Sequence, residues 1–154
     1  MKNNITLKSL SRFVAVQAIY NSDFTDNTEI MREYFLSKKD FKLKIDFDDN
    51  LAKNKFNKKY FGELLDIFDK KKDVIDNLII DNLGNSWDIK RLPVVLLAIL
   101  RVAISEMMIR PDISIGIIIS EYLRLTESFC SKKECAFANA ILEKIYQSNK
   151  LRKN

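Results

Sequence analysis

The chain contains no histidine. That removes Ser-His-Asp triads, Cys-His pairs and every metal site that needs an imidazole. Glycine is nearly as scarce, with 3 in the chain at Gly62, Gly84 and Gly116. Isolated glycines cannot build a phosphate-cradling loop or a dinucleotide fingerprint. With only 2 prolines as well, a turn-rich all-β fold is disfavoured. The 2 cysteines, Cys130 and Cys135, are too few for a disulfide framework and stand without the further ligands a zinc site needs. The ordinary reading is two semi-buried thiols packing near a helix start, with Cys130 a candidate for a weakly reactive thiol. No secretory signal is visible at the start. The longest apolar stretch, Pro93 to Leu100, falls far short of the ~20 residues that span a membrane. A soluble cytoplasmic protein is expected, with no membrane partner. Paired carboxylates such as Asp48 with Asp49, or Asp66 with Asp69, read as solvated surface charge. No catalytic residues, metal or cofactor are expected.

What is present suits one globular domain. The 154 residues are 47% hydrophobic and 31% charged, enough apolar side chain to bury a core and too much for disorder. The net charge of +5 permits an anionic partner such as RNA, DNA or an acidic surface without selecting one. Most of the basic residues are lysine, and asparagine and isoleucine are abundant, as codon bias from an AT-rich genome produces. Single lysines therefore carry little weight.

Apolar periodicity predicts helices almost throughout. The first runs from Thr6, a plausible N-cap, to about Ser22. Leu10, Phe13, Val14, Ala18 and Ile19 point inward, and Lys8 and Arg12 share a polar face. A second opens at Asn27 or Thr28 and runs to about Lys38, with Ile30, Met31, Tyr34 and Phe35 buried. Phe41 to Phe47 alternates like a strand, but a lone strand is unstable, so an irregular connection is expected there. Lys53 to about Lys70 is helical, with Phe56, Tyr60, Phe61, Leu64, Leu65 and Phe68 on one side. Lys70–Lys72 marks a break or bend. A further helix carries Val74, Leu78 and Leu83 inward and is closed by Gly84, Asn85 and Ser86.

Asp88 or Lys90 begins a nearly all-apolar helix to about Met108, with Pro93 in its first turn. It carries Leu92, Val95, Leu96, Ile99, Val102 and Ala103, as a central bundle helix does. Ile113 to Phe129 is β-prone by composition, but Ile115, Ile118, Ile119, Tyr122, Leu125 and Phe129 recur at helical spacing. Ser131 to Glu134 has the form of a capping box. It opens a last helix with Phe137, Ala138, Ile141, Leu142 and Ile145 inward. The expectation is an all-α fold of about seven helices. A single domain covers 1–154, with an irregular insertion around 41–54 and a frayed basic tail at 149–154.

Arg101 and Glu106 interrupt the central apolar run. Buried charge is costly unless paired, so an internal ion pair or a snorkelling side chain is favoured. The alternative brings Arg101 to a groove, where it meets a phosphate or a partner.

Several stretches together resemble the NusB family. Arg12-Phe13-Val14-Ala15-Val16-Gln17-Ala18-Ile19-Tyr20 is similar to that family's first helix, and Tyr60-Phe61-Gly62-Glu63-Leu64-Leu65 to its third. Trp87 to Leu92 and Ala98-Ile99-Leu100-Arg101-Val102-Ala103-Ile104-Ser105-Glu106-Met107 resemble the central helix. Ile119-Ser120-Glu121 and Phe137-Ala138-Asn139-Ala140-Ile141-Leu142-Glu143-Lys144 resemble the last two. Each motif is weak alone; their order and spacing make the match specific over nearly the whole chain.

The resemblance implies two packed helical subbundles and a non-enzymatic role in transcription antitermination. The implied partners are boxA-containing RNA, NusE (a small ribosomal subunit protein) and the RNA polymerase elongation complex with other Nus factors, acting on ribosomal RNA transcription. It places RNA contacts on Lys2, Lys8 and Arg12 from the first helix and on Phe129, Lys132, Lys133, Phe137 and Asn139 from the second side, with Arg101 as a further candidate. Tyr20 is implied at the NusE face. Some members form homodimers that hide the RNA surface, so a homodimer is a further expectation. The chain departs from the family where Ser9, Leu10 and Ser11 replace an arginine-rich run. Leu96 stands where some members carry an acidic NusE contact, Ser120 for Asn, Ala140 for Gly, and Glu127 where Lys is frequent. Lys132 and Lys133 compensate in part for the thin N-terminal motif. The alternatives are a helical interaction module of the same fold with little RNA binding, the RNA-binding part of an RNA cytosine methyltransferase, and a helix-turn-helix regulator. The last lacks a clear pair of short helices rich in base-reading side chains.

Overall fold

A computed structural model describes residues 6–25, 28–37, 56–84 and 88–148. Among them are six α-helices and one 3-10 turn, and no strand. Lys2, the 41–54 segment, the tail at 149–154, Trp87, Asn85 and Ser86 and the side chain of Phe35 lie outside the described residues.

Helix α1 spans Leu7–Thr25. Thr6 begins it as expected: its Oγ1 accepts the Ser9 N–H at 3.0 Å, and Ser9 Oγ accepts the Thr6 N–H at 3.3 Å. Leu10, Phe13, Val14, Ala15, Val16, Ala18 and Ile19 are all buried. The apolar sector is wider than a surface stripe because α1 is packed on several sides. Lys8 and Arg12 consequently do not share a solvent face. Arg12 is buried, and Lys8 is half-buried with its Nζ 5.1 Å from the centre of the Tyr60 ring.

Helix α2 spans Thr28–Ser37. Met31 and Leu36 pack toward the core, but Ile30 and Tyr34 are exposed, contrary to the periodicity reading. A polar anchor sets the orientation instead. Arg32 Nη2 donates to Asp66 at 2.6 Å and Nη1 to the Gly62 carbonyl at 3.3 Å.

Helix α3 spans Lys58–Asn82. Asn57 caps it by accepting the Tyr60 N–H at 3.0 Å. The break or bend expected at Lys70–Lys72 is there: Lys71 leaves helical geometry (φ −120°, ψ 21°), and this kink divides the span into two helical stretches. The buried set Leu64, Leu65, Phe68 resumes beyond it as Ile75, Leu78, Ile79, so the helical repeat is carried through the kink. Val74 therefore faces out, and Ile75 takes the inward place expected of it. The helix ends at Leu83 in an extended conformation, its N–H shared between the carbonyls of Ile79 and Ile80.

Asp88 caps the 3-10 turn Ile89–Arg91 through the Lys90 N–H at 3.0 Å. Helix α4 then runs Val94–Ile109, with Pro93 as its N-cap rather than inside its first turn. Every residue from Ala98 to Met107 is buried, because α4 packs against α1, α3, α5 and α6. Each fully buried Leu or Ile side chain contributes about 1.5–3 kcal/mol, so this helix anchors the core.

Helix α5 spans Ile115–Phe129, with Ser114 accepting the Ile117 N–H at 3.3 Å. The β-propensity of Ile117-Ile118-Ile119 is overridden by helical burial of Ile118, Tyr122 and Leu125. Helix α6 spans Lys132–Gln147 and begins in the expected capping box. Ala138, Ile141, Leu142 and Ile145 are buried and Phe137 is half-buried against the same core. Helix α4 joins the two groups, packing against α1 and α3 as well as against α5 and α6.

Candidate nucleic-acid interface

A buried polar cluster fixes the position of α1. Glu106 on α4 is fully enclosed. Arg12 grips it with both edges, Nε to Oε1 and Nη2 to Oε2, each at 2.7 Å. Tyr122 on α5 donates to Oε1 at 2.7 Å and Tyr60 on α3 donates to Oε2. The remaining Arg12 nitrogen, Nη1, lies 2.9 Å from Glu121, which also accepts from Ser9 Oγ at 2.8 Å. Four helices thus meet on one carboxylate. Burial opposes the Arg12 charge, but the hydrogen bond and charge of Glu106 outweigh it and hold its pKa above the ordinary value. Burial, reinforced by the Glu106 charge, pushes both tyrosines up as well.

A second arginine is held the same way. Arg101 donates to Asp76 on α3 through Nε at 2.9 Å and Nη2 at 3.0 Å. Its Nη1 donates to Asp23 on α1 at 2.9 Å, and the guanidinium lies 5.6 Å from the centre of the Phe68 ring. Arg12 and Arg101 are 5% and 6% exposed. Arg12 was expected at the RNA-facing surface and is instead engaged with carboxylates inside the bundle; Arg101 makes the internal ion pairs that its place in the apolar run favoured, and not the alternative contact at a groove. The physical reason is that a buried guanidinium persists only when paired.

The other expected residues gather at the α5–α6 junction. Phe129, at the end of α5, is 39% exposed. Its ring lies parallel to Phe13 of α1, with centroids 6.2 Å apart and an interplanar angle of 2°. Two residues further, Ser131 accepts the Glu134 N–H at 3.2 Å while Glu134 accepts the Ser131 N–H at 2.7 Å. Lys132 and Lys133 are exposed in the first turn that follows, where backbone N–H groups point out of the helix end. Phe137 packs inward, and the enclosed Asn139 Oδ1 has no hydrogen-bond partner in the structure. Tyr20 lies two turns beyond Phe13 on α1, about 10 Å along its axis. Its ring meets Phe24 edge-on at 5.3 Å, and Phe24 is exposed.

Comparison with known proteins decides the family. The profile described as the NusB family matches residues 9–147. A Rickettsia bellii protein named transcription antitermination protein NusB is 32% identical over 150 residues, covering 96% of this chain and 95% of its own length. A protein of the same name from Novosphingobium aromaticivorans is 27% identical, covering 90% and 91%. The chain belongs to the NusB family. The fold agrees: T. maritima NusB superposes with a TM-score of 0.72 at 22% identity, covering 96% of this chain and 94% of that one.

The relatives are named for transcription antitermination, and that general role is the role of this chain. One position where NusB relatives were expected to differ at a partner surface is not at a surface here: Leu96 is 1% exposed. Among the described residues no group of three or more Cys, Asp or Glu is placed to hold a metal ion, and no helix is long and apolar enough to cross a membrane. An open cavity of about 580 Å³ lies beside Glu63, Asp66, Ile67, Asp69 and Lys70 of α3 and Ile109 of α4. Its wall is acidic, with Asp66 held by Arg32 of α2. Sequence reasoning missed Phe13 as the support of Phe129, and missed Glu121, Tyr60, Tyr122, Asp23 and Asp76 as partners of the arginines. A signal was present for the arginines: two cations on apolar helix faces require anions, and Glu106 was already conspicuous.

Proposed function

We propose that this NusB-family chain binds boxA-type single-stranded RNA together with NusE, and so supports processive transcription of ribosomal RNA operons by RNA polymerase with other Nus factors. One observation carries the reading. A half-exposed aromatic ring, Phe129 backed by Phe13, stands beside two exposed lysines on a capped helix N-terminus. Single-stranded RNA is bound by such a combination of stacking surface and phosphate-neutralising charge. Lys132, Lys133 and the first-turn N–H groups of α6 take phosphates, Phe129 stacks a base, and Lys2, Lys8, Phe137 and Asn139 are proposed as further RNA contacts. Arg12 and Arg101 act as positioning residues: they hold α1, and with it Phe13, against the rest of the bundle. Tyr20, with exposed Phe24 beside it, belongs to the NusE face.

A second reading is favoured by the burial of Arg12 and Arg101, which thins the basic surface. In it the chain is chiefly a protein-interaction module of the same fold. Fluorescence anisotropy with a boxA-like RNA and a scrambled RNA, with and without NusE and over a range of salt, separates the two. The expected result is a preference for boxA that strengthens with NusE. The Lys132→Ala, Lys133→Ala variant should bind less tightly, with a log–log salt slope shallower by about 0.7 per lost phosphate contact. Equal binding of both RNAs, even with NusE present, would leave the interaction module standing.

A further inference from the structure

The capping box at the start of α6 does more than end-cap the helix. With Ser131 as N-cap, Cys130 is the residue just before the cap and Cys135 is the fourth residue of the helix. These are the two positions whose side chains fold over a capped N-terminus and pack on each other, as the apolar pair of a hydrophobic staple does. In this chain both staple residues are thiols. The backbone around them is fixed at both ends. Cys130, extended at φ −128° and ψ 164°, donates its N–H to Thr126 O at 2.7 Å. Cys135 makes the first intrahelical bond, to Ser131 O at 2.9 Å. Both side chains are partly exposed and neither is in a disulfide.

We infer that Cys130 and Cys135 form a reversible oxidation site, in which a low-molecular-weight disulfide such as glutathione disulfide converts the staple into an intramolecular disulfide across the N-terminus of α6. The thiolate of one cysteine attacks a sulfur of the small disulfide and expels one small thiolate, leaving a mixed disulfide. The second cysteine attacks the protein sulfur of that mixed disulfide and expels the second small thiolate. Two protein S–H bonds and one small-molecule S–S bond become one protein S–S bond and two small-molecule S–H groups. The protein loses two electrons and two protons, and the small disulfide gains them. Burial, with the nearby Glu134 carboxylate, pushes the Cys130 thiol up to about 11, and burial with Glu127 and Glu134 raises Cys135 too. Thiolate is therefore scarce at neutral pH and the first attack is slow. Closure is intramolecular, between the two residues that bracket the capped first turn of α6.

The test uses the full chain, equilibrated to constancy in glutathione buffers over about a thousandfold range of the disulfide-to-thiol ratio. Samples are acid-quenched, free thiols are alkylated and tryptic peptides are weighed. Trypsin cuts after Arg124, Lys132, Lys133 and Lys144, so the bridge appears as peptide 125–132 linked to peptide 134–144, in a protein about 2 Da lighter than the reduced form. Dithiothreitol should restore both free thiols. Cys135→Ser should yield only a glutathione adduct on Cys130. Two alkylated cysteines at the most oxidising ratio would overturn the inference. So would glutathione adducts on both residues, or disulfides found only between chains. The readout is covalent and independent of RNA, so it stands or falls apart from the proposed function.

Discussion

Replacing Glu106 by glutamine preserves its shape and removes its charge, and it should destabilise the protein severely. Glu106 accepts from both edges of Arg12 at 2.7 Å, from Tyr122 at 2.7 Å and from Tyr60, in a fully enclosed site. Glutamine turns one acceptor into a donor that faces donors already there. Removing one partner of a buried ion pair costs about 3–5 kcal/mol, because the other charge stays buried. Glu121 remains 2.9 Å from Arg12 Nη1 and offsets part of this, so about 3 kcal/mol is expected. For a domain of this size that lowers Tm by roughly 6–12 °C. Urea unfolding followed by circular dichroism gives the free energy directly, with an unchanged m-value showing that the native fold persists. The companion is Arg12→Met with Glu106→Gln. Taking out both charges should recover at least half of the loss, since uncharged replacements of buried pairs are often neutral or stabilising. A single-variant cost below about 1 kcal/mol, typical of exposed pairs, would refute the view that this cluster clamps the four helices. So would a double variant weaker by the sum of the single changes, which would mean the charges do not couple.

Tyr60 and Tyr122 make a pH prediction. Both are held above the ordinary value of 10.0, first by burial and then by Glu106. Their contribution is complete below about pH 10. Above it the unfolded chain loses its tyrosine protons first and binds fewer than the folded chain. Stability should then fall by about 1.4 kcal/mol per pH unit for each tyrosine until the folded values are passed; Tyr122→Phe should halve that slope in urea titrations run upward from about pH 9. Ser131→Ala deletes the acceptor of the Glu134 N–H and should cost about 1 kcal/mol in the same assay; no loss would mean the capping box is idle. Phe129→Ala removes a ring already 39% exposed, so its stability cost should stay well below the roughly 3–5 kcal/mol of a core phenylalanine. Its boxA affinity should drop by about 1–3 kcal/mol if a base stacks there. A large stability loss with unchanged RNA affinity would make Phe129 a core residue.

Much of the fold was legible because burial follows helical spacing wherever a helix has one buried face. Ala138, Ile141, Leu142 and Ile145 of α6 and Leu64, Leu65 and Phe68 of α3 are such cases. The pattern misled where a polar side chain sets the rotation, as Arg32 does for α2, whereas the bend at Lys71 was readable from the charged run Lys70–Lys72. Capping was readable at Thr6 and Ser131 because the acceptor and its N–H lie three residues apart. The candidate site was only half readable. Lys132, Lys133 and Phe129 are local features of one short stretch. The fate of Arg12 and Arg101 depends on carboxylates up to 109 residues away in sequence, and no spacing rule reaches across such distances.

Arg101 is also a gauge of where α1 sits. It is seated between Asp76 and Asp23, so α1 cannot slip by a residue without carrying Asp23 about 100° round its axis and about 1.5 Å along it. That same spacing sends the next side chain, Phe24, away from the ion pair and out to 67% exposure. The bare aromatic is thus imposed from within the molecule. Any homologue that keeps the arginine seated between both aspartates will display residue 24 at the same angle, whatever side chain it carries.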